Sequence, residues 1–163
     1  MRTPCWRSTG RCCPPLRTGS PTSENTALAI RLLLVNLLWF GQAVATAEAL
    51  LIAQGAGIGV GAMADVLSSS PASSAFIRDD LPSLLAAGDY LTSFGLHRIH
   101  DQLAAVTSLA EQLGSPHSLA DAVRQVHEDA LRQYGPVDGE LLAVALLEGQ
   151  AGMLLRSKPQ PPS

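Results

Sequence analysis

Residues 23–54, SENTALAIRLLLVNLLWFGQAVATAEALLIAQ, hold no proline and a single glycine, Gly41, and their reading decides the fold. Ser23 or Asn25 can cap a helix start, with Glu24 placed near the positive end of the dipole. Gly55, Gly57 and Gly59 break the pattern at the other end. The spacing therefore predicts one helix of about 30 residues, roughly 45 Å long at 1.5 Å per residue. Its middle is apolar around most of the circumference, which predicts burial on several sides. Gly41, Ala43, Ala45, Ala47 and Ala49 keep several of its faces thin, so neighbouring helices can approach closely. This helix is expected to be the central post of a bundle.

Shorter helical patterns follow it. Residues 60–69 place Val60, Met63, Val66 and Leu67 on one stripe, which Ser68–Ser70 and Pro71 stop. A helical stretch from Ala72 to Asp80 meets Pro82, which can open a new turn over Ser83–Ala87 before Gly88 breaks it. Residues 95–113 align Ile99, Leu103, Val106, Ala110 and Leu113, and Gly114 ends that helix. The next repeats Leu119, Val123, Val126 and Ala130 up to Tyr134, ahead of Gly135-Pro136. A last helix from about Asp138 to Gln150 carries Leu141, Leu142, Ala145 and Leu146. No strand pattern and no repeat period stands out. The expected fold is all-α, a helical bundle around one long central helix.

Composition narrows the function classes. The chain has 163 residues, 47% of them apolar, enough for one domain with a core. Only 15% are charged, which suggests surface committed to another domain or subunit. A net charge of −3 offers no basic footprint for nucleic acid. Leu32–Ala47 alone, interrupted by Asn36 and Gln42, falls short of the roughly 20 residues of a membrane span. Residues 1–27 lack the apolar core of a secretory signal. A cytoplasmic protein that binds neither membrane nor nucleic acid is expected. Residues 1–22 are rich in Arg, Pro, Thr and Cys without apolar period, so they are expected to be disordered. Two origins stay open for them, a natural arm or coding sequence that is not native to the domain. Cys5, Cys12 and Cys13 are expected to be stray thiols. The domain proper then runs from 23 to 156, and the Pro-rich tail 157–163 is expected to be loose.

Few residues invite chemistry. Asn36 is the one strongly polar side chain within Leu32–Gly41, and a buried amide left unpaired costs about 1–3 kcal/mol. It either bonds a neighbouring helix or contacts a substrate. Glu48 poses the same choice, pairing with an Arg or standing at the rim. His97, His100 and Asp101 lie on adjoining faces of one helix. His100 can carry a proton near neutral pH with Asp101 beside it, or both can line a solvated face. An i,i+3 histidine pair has no evident third or fourth ligand, so no metal is expected. His117 and His127 read as surface or cap residues. The serines 68–70 and 73–74 lack the setting of an activated nucleophile.

The run NLLWFGQAVATAEALLIAQGAGI, followed by MADVLSSSPASSAF, resembles the second domain of the β-hydroxyacid dehydrogenases. FGLHRIHDQLAAVTSLAEQLGSP resembles that family's "F-x-l-x-l-x-x-K-D-l" helix, and GPVDGELLAVALLEG its closing "G-x-x-D-x-S-a-l" helix. The matches run in order from about Glu24 to Gly149. They imply the helical half of a 3-hydroxyisobutyrate dehydrogenase-like enzyme, with a 6-phosphogluconate dehydrogenase C-terminal-like fold. Such a half packs against a Rossmann domain, often forms a homodimer, and closes over substrate with NAD or NADP. No strand–GxGxxG–helix segment accompanies it here, so no cofactor is expected for this chain alone.

The resemblance also implies site residues. The family's "K-x-x-N-N" places its second Asn, which helps hold substrate, on Asn36. Its first Asn falls on Val35 and its proton-moving Lys on Leu32. Arg31 lies one residue off, about 100° around the helix. The later Lys-Asp pair falls on His100-Asp101. Asn36 and His100 are thus the candidate catalytic residues, and Asp101 the candidate cofactor contact. A leucine cannot move a proton, so whether the chain serves an enzyme, or a non-enzymatic helical module that dimerises through Gly41–Ala49, stays open.

Overall fold

A 32-residue helix, α1 (Glu24–Gly55), forms the axis of the protein in the computed structural model, which describes residues 23–157. The cysteines and the segment 1–22 lie outside the described residues, as does the tail from 158 onward. The hydroxyl oxygen of Ser23 accepts the Thr26 N–H at 3.3 Å and so caps α1, as the pattern predicts. At the far end Gly57 adopts φ +84°, a turn that suits a residue without Cβ, while Ile58 N–H closes on the Ala53 carbonyl at 2.9 Å.

Five shorter helices pack along α1: α2 (Val60–Ser69), α3 (Leu81–Ala87), α4 (Leu96–Leu113), α5 (Ser118–Tyr134) and α6 (Leu142–Ala151). A π-helical turn, Phe76–Asp80, leads straight into α3. It occupies the C-terminal part of the stretch expected to be helical from Ala72, and Pro82 sits in the first turn of α3 as expected. The last helix begins four residues later than expected. Gly139, at φ +156°, and Gly95, bridged to Asp138, hold that stretch in an extended turn instead. This isolated bridge is the sole β pairing among the described residues, so the fold is an all-α bundle.

Two apolar clusters flank the second half of α1. Ala47, Leu50 and Leu51 meet Phe76, Leu81, Leu84, Val144 and Leu155 on one side. Phe40 and Val44 meet Leu96, Ile99, Leu103, Val123 and Leu146 on the other. The thin face works as the small residues suggest. A Cβ on Gly41 would stand 3.5 Å from the Val123 Cγ2 of α5, and Ala43 and Ala47 are buried.

The burial expected on several sides of α1 holds from Phe40 onward and fails before it. Fully buried positions begin at Phe40, and Leu28, Leu32, Val35 and Leu38 remain 58–64% exposed. The reason is coverage: the short helices pack on the second half, and nothing among the described residues covers this stripe of the first. By length and composition α1 also passes for a membrane span, with an 18-residue window of mean hydropathy 1.7, where 32–47 alone was expected to fall short. A core helix passes the same test, and the second half of α1 is core.

The chain end is fastened rather than loose up to Ser157, whose N–H donates to the Leu85 carbonyl at 3.0 Å. The carboxylate of Glu148 organises this segment from inside the fold. It accepts the Leu155 N–H at 2.7 Å, the Arg156 guanidinium at 3.0 Å and the Tyr90 hydroxyl. A buried carboxylate is tolerated because each of these donors offsets lost hydration. Gly88 is required beside it: φ is +71°, and a Cβ there would collide with the Arg156 guanidinium.

Candidate functional site

Where the exposed half of α1 passes into its buried half, a cleft of about 350 Å³ opens between Val35, Asn36, Trp39, Phe40, Phe94 and Glu140. Helical spacing explains the α1 contribution, since 36, 39 and 40 share one face. Phe94 and Glu140 come from the two loops that precede α4 and α6. Their backbones are tied together: Gly139 N–H donates to the Phe94 carbonyl at 3.0 Å and Glu140 N–H to the Leu91 carbonyl at 2.7 Å.

Asn36 is half-buried, and its Nδ2 donates to the Gln102 Oε1 of α4 at 2.7 Å. Asn36 thus bonds a neighbouring helix, the first of its two readings, and also lines the cleft. Val35, aligned with the family's first Asn, lines the cleft too, while Leu32 stands exposed one turn away. Glu140 accepts the Ser93 hydroxyl at 2.6 Å through Oε1. The Trp39 ring meets Phe76 edge-on at 5.5 Å. That places the π turn, and Asp80 at its end, near the cleft. Burial, then the charges of Asp79 and Glu140, push the Asp80 carboxyl above its ordinary range.

His100 and Asp101 do not line this cleft; α4 reaches Asn36 through Gln102 instead. His100 Nδ1 lies 3.4 Å from Asp101 Oδ1, with the histidine half-buried and the aspartate largely exposed. The three candidate residues thus occupy two places on the bundle, Asn36 in the cleft and the pair on α4. Glu48 stands exposed at the rim. His117 is the N-cap residue of α5, as expected.

His127 is not a surface residue. It is 1% exposed, edge-on to Phe40 at 5.5 Å, with Nδ1 donating to the Val123 carbonyl at 2.9 Å. It points inward because it falls on the Val123–Ala130 stripe of α5, where a polar letter masks a core position. Burial lowers its pKa, with the nearby His100 adding to the shift.

The aromatic and acidic walls of the cleft escaped sequence reasoning. Glu140 had a signal, because it stands where the closing-helix motif has Ser. Trp39 and Phe94 had none, since each reads as ordinary core. A second, wider hollow of about 970 Å³ lies between α2, α3 and the chain end, with Gln54, Asp65, Ser68 and Arg156 among its polar lining. No group of three or more potential metal ligands occurs among the described residues.

The short loop 56–59 joins two helices, and the N–H groups of Gly57 and Ile58 are spent closing α1. The pyrophosphate-binding turn between a strand and a helix does not occur there.

The family described as "NAD-binding of NADP-dependent 3-hydroxyisobutyrate dehydrogenase" matches residues 32–147. Among solved structures, the 3-hydroxyisobutyrate dehydrogenase of Salmonella typhimurium is similar, with a TM-score of 0.61 at 22% identity. The match covers 70% of this chain and 40% of that one, so this chain spans well under half of the Salmonella enzyme. At that identity the likeness shows the fold. No curated protein matches. The family match runs from the exposed turn of α1 through the cleft into α6, more than two thirds of the chain, and the chain therefore belongs to this 3-hydroxyisobutyrate dehydrogenase family, as its all-helical part.

Proposed function

We propose that this chain is the substrate-binding and dimerisation half of an NAD(P)-dependent 3-hydroxyisobutyrate dehydrogenase-like oxidoreductase, working with a Rossmann domain and inactive without it. One observation carries the reading: the stripe Leu28, Leu32, Val35 and Leu38 lies bare and runs directly into the cleft beside Asn36. Exposed apolar patches of this kind mark surfaces that a partner covers. A Rossmann domain seated there brings its nicotinamide end to the cleft mouth and holds the pyrophosphate itself. Asn36 then holds substrate, His100 carries the proton that Leu32 cannot, and Asp101 approaches the cofactor. The assembly is a homodimer in the cytoplasm.

The coding DNA upstream, read in all frames for a strand–GxGxxG–helix segment, is the first test. Joined to residues 23–157, that segment is expected to give NAD(P)-linked turnover of small 3-hydroxy acids or the related aldehydes and imines. Residues 23–157 alone should give none. Tight dinucleotide binding by this chain unaided would overturn the reading. In the joined protein His100→Ala should lower turnover; unchanged turnover removes the histidine from the mechanism.

The exposed Leu32 at the position of the lysine favours a second reading, a helical module that dimerises without catalysis. It predicts a stable dimer of this chain and an upstream region without a Rossmann segment.

A further inference from the structure

Glu140 is the one charged residue that lines the cleft beside Asn36, and no cation answers it. The ion pairs among the described residues involve Asp101, Asp121, Glu128, Asp129 and Glu148, never Glu140 or Asp80. Ser93 occupies Oε1 at 2.6 Å, and no hydrogen bond reaches Oε2 among the described residues. Asn36 points the same way. One Nδ2 hydrogen goes to Gln102, while the second Nδ2 hydrogen and Oδ1, an acceptor, make no hydrogen bond among the described residues. The charge left over in this cleft is therefore the Glu140 carboxylate, with its Oε2 and the Asn36 Oδ1 as open acceptors.

The apolar walls suit the same kind of guest. Trp39 and Phe94 line it, and indole is the strongest of the aromatic partners for a cation. The Phe94 ring already serves one, since the Arg98 guanidinium stands 5.8 Å from its centre without lining the cleft. Asp80 lies near enough to Glu140 to feel its charge. A carboxylate entering here meets like charge, at a cost that grows as water leaves.

We propose that this cleft takes the positively charged nitrogen of a small organic amine or iminium, held between the Trp39 and Phe94 rings by Glu140 and the Asn36 carbonyl. The proposal rests on the reading above only in naming the substrate class of the same cleft. It sets this chain apart from partners that select hydroxy acids. A cleft of about 350 Å³ fits a cyclic or branched amine of a few carbons, in the lower part of the size range of ligand pockets.

The test is a titration of the full 15N-labelled chain, followed by its amide and indole NMR signals, with pyrrolidinium chloride and, separately, sodium 3-hydroxyisobutyrate. Pyrrolidinium is expected to shift the Trp39 indole and the Asn36 side-chain amide and to saturate. The carboxylate should leave both in place. Glu140→Gln should weaken pyrrolidinium roughly tenfold or more, as loss of a charge-assisted contact does. The spectrum of the variant reports its folding at once, and Phe94→Leu provides a second variant that removes a ring and keeps the charge. The same pair of ligands is then offered to the protein joined to its Rossmann segment. Preference for the carboxylate, equal affinity in Glu140→Gln, or silence toward pyrrolidinium in both forms would each overturn the proposal. Turnover of a hydroxy acid by the joined protein would sink the amine assignment while sustaining the dehydrogenase reading. Pyrrolidinium binding without any turnover would do the reverse.

Discussion

His127 holds its proton on Nδ1, which donates to the Val123 carbonyl at 2.9 Å, so a second proton would have to enter at Nε2 inside the core. There it would face Phe40 and the neighbouring His100 with little water to solvate the charge. The folded protein consequently binds that proton less readily than the unfolded chain, whose histidine titrates at the ordinary 6.5. Below about that pH the unfolded state binds more protons than the folded one, and stability falls as pH falls; above it this residue contributes no slope. The fall reaches up to about 1.4 kcal/mol per pH unit for one such group. Urea unfolding at about pH 7.5 and about pH 5.5 should show this loss, and His127→Gln should flatten it. Equal pH sensitivity in the variant would mean that other groups set the acid limit.

At the scale of the helices, α1 and α5 meet through Gly41, and the space there decides what the glycine does. An added Cβ would find Val123 Cγ2 at 3.5 Å, an ordinary contact. Gly41→Ala is therefore expected to be neutral or to stabilise by up to about 1 kcal/mol, the usual gain over glycine inside a helix. Gly41→Leu must push α5 outward and should cost about 1–3 kcal/mol in chemical denaturation. A destabilising alanine would show that the two helices pack more tightly than this separation. The helices themselves were legible because amphipathic period and glycine or proline stops coincide, as at Ile99–Leu103–Val106 closed by Gly114. Where those two signals part, the pattern misleads. Residues 138–141 look like a helix start, but Gly139 at φ +156° and the bridge between Gly95 and Asp138 keep them out of the helix. Leu113 and Leu119 keep the apolar spacing yet lie exposed, 71% and 72%, because they cap the ends of α4 and α5 beyond the reach of the core. Asn36 stood out as a lone polar letter in an apolar run. The cleft around it did not, since Trp39, Phe94 and Glu140 arrive from three segments that only the folded chain joins.

The whole molecule divides along α1 into a finished half and an open one. From Phe40 onward every neighbouring helix contributes to a core, whereas Leu28, Leu32, Val35 and Leu38 face outward over nearly three turns. Burying such side chains is worth about 1.5–3 kcal/mol each, and more than half of that remains to be gained here, roughly 4–7 kcal/mol for the four. This is the surface proposed above to be covered by a partner. Because these residues touch no core cluster, replacing them should not weaken the fold. The double variant Leu28→Glu, Leu32→Glu is expected to melt within a degree or two of the parent, by the same reasoning that makes exposed substitutions worth under about 0.5 kcal/mol. It should also lose the self-association proposed for the parent, read by sedimentation at micromolar concentration, and lose affinity for an added Rossmann segment. A variant that melts much earlier would place these leucines inside the cooperative unit, and the open half of α1 would then be part of the core after all.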